Sequence, residues 1–100
     1  MLRQGDVLLL PITEIPQAAK AVPRDRGRVI LAYGEVTGHA HVIAEPSVIK
    51  LADGIAEFLD APQGATLTHE EHDTIPIPPG RYRIVHQREY YPSEIRRVLD

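Results

Sequence analysis

Nine prolines and seven glycines cut this chain into short apolar runs, and no run before residue 93 holds a helical period for three turns. Proline inside a helix removes a backbone hydrogen bond and clashes with the preceding turn. A strand needs only four to eight residues, so it survives such punctuation. The pattern therefore points to an all-β fold, a small single-domain β-barrel or sandwich over residues 1–100.

Individual runs follow from the same logic. Val7-Leu8-Leu9-Leu10 is an apolar strand stopped by Pro11. Residues 13–26, with Pro16 and Pro23, read as a surface loop. Arg28 to Tyr33, His39 to Ala44, Ser47 to Ala52 and Ile55 to Asp60 are further strands, with Asp53-Gly54 as a hairpin turn. Ala65 to Thr68 is short and β-favouring. Thr74-Ile75-Pro76-Ile77-Pro78 alternates, but its prolines confine it to a sheet edge or a bulge. Arg81 to Gln87 alternates polar and apolar residues. Residues 93–99 fit a strand or a short amphipathic helix capped by Ser93.

Composition narrows function. There is no cysteine, so disulfides and thiolate ligands are excluded, and the chain fits the cytoplasm. A net charge of -3 offers no general attraction for nucleic acid or an acidic membrane. Leu8-Leu9-Leu10 is too short for a signal peptide core or a membrane span. With one Phe and no Trp, the core must rest on aliphatic side chains. A core this small gains from a bound metal or a second copy, so a homodimer is a further expectation.

Four of the five histidines fall in two tight pairs, His39/His41 and His69/His72. Neutral imidazole is the commonest protein ligand for metals near neutral pH. In a strand, residues i and i+2 share a face, so His39 and His41 project together. Glu45 falls on that face too if the strand stays regular. His69 and His72 bracket Glu70 and Glu71, either of which suits a ligand, a tautomer-fixing acceptor or a base toward bound water. His86 stands alone among polar neighbours and is the weaker candidate. Against these readings, a His-X-His pair on an exposed strand is often only a solvated polar face, and a Glu-rich loop often only a loop.

Gly34-Glu35-Val36-Thr37-Gly38-His39-Ala40-His41-Val42-Ile43-Ala44-Glu45 resembles the first cupin motif. In cupins, the two histidines and the glutamate bind a divalent metal, with another histidine from a second motif. The resemblance implies His39, His41 and Glu45 as ligands. Pro78-Pro79-Gly80 resembles the start of the second motif, but His86 comes too late to complete it. A fourth ligand then falls to His69 or His72. The chain as a whole is also similar to a family of small, uncharacterised bacterial and phage proteins. The shared marks are Gly-Glu-Val-Thr-Gly-His-X-His at 34–41, His-X-Glu-His at 69–72 and Gln-Arg-Glu-Tyr at 87–90. That likeness favours both histidine pairs over His86. Within the last mark, Arg88 and Tyr90 share a face, either lining a pocket for an anionic substrate or forming a charged edge strand.

The expectation is a cupin-like domain binding one divalent ion, Zn, Fe, Ni, Cu or Mn, through His39, His41, His69 and His72. Two functions follow from it. One is a metalloenzyme of hydrolase or oxygenase type acting on a small molecule. The other is a non-catalytic metal-stabilised binding or structural module, phage-associated in some settings.

Overall fold

The computed structural model describes residues 1–34 and 38–87. Its ten elements are all strands: β1 (Leu2–Gln4), β2 (Val7–Ile12), β3 (Lys20–Ala21), β4 (Val29–Tyr33), β5 (Ala40–Ile43), β6 (Ile49–Asp53), β7 (Ala56–Ala61), β8 (Ala65–Thr68), β9 (Ile75–Ile77) and β10 (Gly80–His86). They form two antiparallel sheets, ordered β1-β2-β10-β7-β6-β3 and β4-β5-β8-β9. No helix among the described residues is long and apolar enough to cross a membrane.

The period-two pattern supplies one inner face per sheet. Val7 and Leu9 of β2, Leu59 and Ala61 of β7, and Tyr82 and Ile84 of β10 point in from one sheet. Val29 and Leu31 of β4, Ile43 of β5, Leu67 of β8 and Ile77 of β9 meet them from the other. These side chains make a single apolar core, and each fully buried Leu or Ile contributes about 1.5–3 kcal/mol.

Among the described residues no backbone ladder joins the edge strands of one sheet to those of the other. The fold is therefore an open sandwich, not a closed barrel. Side chains bridge the gap instead. Lys50 Nζ on β6 donates to Ile30 O on β4 at 3.0 Å, and Gln4 Nε2 on β1 donates to Leu67 O on β8 at 2.9 Å.

Several expectations from sequence have counterparts here. β9, with Pro76 at its centre, is an edge strand. The β6–β7 hairpin pairs Asp53 with Ala56, so its turn is Gly54-Ile55, one residue later than Asp53-Gly54. The loop expected over 13–26 is more anchored than its composition suggests. It contains β3, which pairs with β6, and Arg24 donates to Glu45 O at 2.6 Å and Val48 O at 2.9 Å. β1 was not legible as a strand, because three residues are too few to show a period. The expected element at 93–99, and the positions of Arg88 and Tyr90, lie outside the described residues.

Candidate metal centre

The alternation that builds the core also delivers the histidines. Ile43 is fully buried on β5, and His41 lies two residues earlier on the same inward face, at 6% exposure. Leu67 is fully buried on β8, and His69 lies two residues later. β5 and β8 pair Ile43 with Leu67 and Val42 with Thr68. One further step sets His41 across from His69, and their ring centroids are 4.3 Å apart.

The other rings gather around that pair. His69 and His72 centroids are 4.6 Å apart, His39 and His69 5.8 Å, and His41 and His72 5.9 Å. Thus both pairs meet at one end of the sandwich. His41 is buried, His39 and His69 are half-buried, and His72 and Glu70 are exposed, so the cluster runs from core to solvent. The four rings do not make a finished cage. His39, His69 and Glu70 bring ligating atoms within 4.8 Å of one another. His41 and His72 join through ring proximity, and His69 belongs to both groups.

Carboxylates tie the two segments together. The Ala40 N–H donates to Glu70 Oε1 at 3.0 Å, and that bond holds the Glu70 carboxyl below its usual range. Glu71 Oε1 lies 3.8 Å from His39 Nδ1, a loose contact. The Glu71 N–H donates to His69 Nδ1 at 3.0 Å. In neutral His69 the ring proton is therefore on Nε2. An ion taken at Nδ1 would replace that hydrogen bond, and one taken at Nε2 would need the other tautomer.

Two close approaches depend on glycine. A Cβ at Gly34 would lie 2.9 Å from the Cβ of His39. Gly5 has a φ of 57°, and a Cβ there would lie 2.7 Å from His72 Nε2. The turn between β1 and β2 thus packs directly on the cluster.

That turn brings in a residue the sequence did not flag. Gln4, 2% exposed, donates from Nε2 to Leu67 O and to Asp73 O, both at 2.9 Å. Its Oε1 lies 2.8 Å from His41 Nδ1. Burial, followed by the nearby His69 and His72, lowers the His41 pKa to about 4, and Asp6 partly opposes this. His41 is therefore neutral at pH 7, the form that binds metal.

The remaining candidates sit elsewhere. Glu45 lies beyond the far end of β5 from His39. Burial raises its carboxyl, but hydrogen bonds, including those from Thr66, outweigh that and lower it. The glutamate implied by the cupin resemblance is thus engaged with Thr66. His86 Nε2 lies 2.7 Å from Glu57 Oε1, whose other oxygen is 3.3 Å from Lys50 Nζ. His86 belongs to that polar group of β6, β7 and β10.

Neither a curated protein nor a solved structure matches the chain. One family does match, and the matched segment, residues 3–87, contains Gln4 and all four clustered histidines. The chain belongs to that family, described as a domain of unknown function, DUF8820.

Proposed function

We propose that this domain binds one divalent metal ion at the inner end of the sandwich. His39, His41, His69 and His72 supply imidazoles, and Glu70 supplies a carboxylate. The observation that carries this reading is the convergence of four imidazole rings from two separate segments, with neighbouring centroids 4.3–5.9 Å apart. These rings give up hydration in gathering, since His41 is buried and His39 and His69 are half-buried, and the 3.8 Å contact of His39 with Glu71 is too loose to serve as a close charged partner. An ion with bonds near 2 Å gives them one.

Nitrogen and carboxylate donors without thiolate suit Zn, Fe, Ni, Cu or Mn. The cupin resemblance supports the same placement, with a His-X-His strand meeting a second histidine segment. Among the described residues, Glu70, Glu71 and His72 are exposed beside the buried His41, which supports access of a small molecule from solvent. A metalloenzyme of hydrolase or oxygenase type follows, in which the ion activates water or dioxygen. A separate apolar core supports this over a purely structural ion, since the fold has its own source of stability.

Metal analysis of the purified protein beside a His41→Ala variant tests the reading. Near-stoichiometric metal in the wild type and a marked loss in the variant is the expected result. Equal metal in both, or none in either, overturns it. Chelation that unfolds the protein would favour the metal-stabilised module over the enzyme.

A further inference from the structure

Gln4 stands far from both histidine pairs in sequence, yet it touches both segments that carry them. Its side chain is buried and makes three hydrogen bonds. Their polarity settles which atom faces where. Leu67 O and Asp73 O are backbone carbonyls and can only accept, so both must face the Gln4 NH2 group. The amide oxygen is then the atom facing His41 Nδ1. An amide oxygen also only accepts, so His41 Nδ1 must carry the proton. In a neutral ring that leaves the lone pair on Nε2.

We infer that the Gln4-Gly5-Asp6 turn is a third arm of the metal site, and that Gln4 is the positioning residue that presents His41 through Nε2. The inference rests on the metal reading above. It adds a specific ligating atom and a residue that touches no ion. Metal-bound histidines generally donate their other ring nitrogen to an oxygen acceptor, which fixes the tautomer and aims the ring. Gln4 fills that role for His41. It also does more than orient one ring. Leu67 and Asp73 flank the segment that carries His69, Glu70 and His72, so one amide anchors that loop at both ends. Gly5 completes the arm by leaving room for His72 Nε2, where any Cβ would intrude. His41 and both ends of the loop that carries His69 and His72 are thus held by hydrogen bonds before an ion arrives.

Two measurements test this on the full chain. Long-range proton–nitrogen NMR of the metal-free protein reads the His41 tautomer directly. Cobalt(II) titration of wild type, Gln4→Met and Gln4→Glu reads affinity. We expect Nδ1–H on His41 in the wild type. Gln4→Met should lose about 10–100-fold in cobalt affinity, the usual cost of removing a partner behind a ligand. Gln4→Glu keeps an acceptor for His41 but has no donor for Leu67 O or Asp73 O. It should hold the tautomer and still lose affinity.

A wild-type His41 protonated on Nε2 overturns the inference, whatever the cobalt result. So does wild-type affinity in Gln4→Met. If Gln4→Met does not fold, the wild-type tautomer and the Gln4→Glu titration decide. A wild type that binds no cobalt yet shows Nδ1–H sinks the metal reading and supports Gln4 as the residue that fixes the ring.

Discussion

The Ala40 N–H donates to the Glu70 carboxylate across 3.0 Å, joining the strand of one histidine pair to the loop of the other. Glu70 also lies within ligating reach of His39 and His69. These two roles separate by substitution. Gln at position 70 keeps an oxygen for Ala40 but removes the anionic donor, and Ala removes both. Both Glu70→Gln and Glu70→Ala are expected to weaken metal binding. Only Glu70→Ala should also loosen the loop, seen as faster amide exchange at Ala40. Unchanged metal affinity in both variants would remove Glu70 from the site.

Acid should destabilise the metal-free protein through His41. In the unfolded chain this ring takes a proton near pH 6.5, but in the fold it does so only near pH 4. Between those values the unfolded state binds more protons, so stability falls as pH drops through that window. Above pH 6.5 the ring is neutral in both states and contributes nothing. The full effect is roughly 3 kcal/mol at most, at one pH unit per about 1.4 kcal/mol. Urea unfolding of metal-free protein at pH 7 and pH 4 measures it. A His41→Gln variant should show a shallower pH dependence, and an identical one would count against this assignment.

Gly5→Ala should perturb the cluster without touching a histidine. The φ of 57° strains any residue with a Cβ, at a cost of roughly 1 kcal/mol. The added carbon also meets His72 Nε2 at 2.7 Å. His72 is exposed, so its ring can swing away and the backbone strain should dominate the stability loss. A small drop in Tm with a displaced His72 NMR signal is expected. An unmoved His72 signal would contradict the packing described above.

His86→Ala should leave metal uptake as it is. The His86 ring is bonded to Glu57, which Lys50 also contacts. Its loss leaves Glu57 with Lys50 still beside it. Metal content equal to wild type, with a modest fall in stability, is the expected result. A loss of metal comparable to that in His41→Ala would place His86 in the site.

Leu67→Ala should be among the most damaging single changes. Leu67 is fully buried in the core, and such truncations cost about 2–5 kcal/mol. Its carbonyl also accepts from Gln4, so a collapse here disturbs the ring behind it. Chemical denaturation measures the loss, and a cost below about 1 kcal/mol would argue against the packing.

How much of this was legible in the sequence depends on how far each contact reaches along the chain. His41 was readable because period two is local, whereas His39 falls just before β5, whose pairing with β4 shifts register between Ile30 and Ala32. The core strands were readable for the same reason. Glu45 misled, because the same rule assumes the strand continues, and β5 ends at Ile43. His69 and His72 were readable as a motif, but their meeting with His41 depends on the β5–β8 register, which no local pattern encodes. Gln4 was invisible. A lone glutamine carries no ligand signal, and its three partners lie 37, 63 and 69 positions away. The Glu57 partner of His86 was hidden in the same way, 29 positions off.

The first few residues of a small domain are often trimmed as a dispensable tail when an expression clone is drawn. In this protein such a cut would delete β1 and with it the amide that grips Leu67, Asp73 and His41. A clone trimmed in this way keeps every histidine and loses the buried side chain that reaches both segments carrying them.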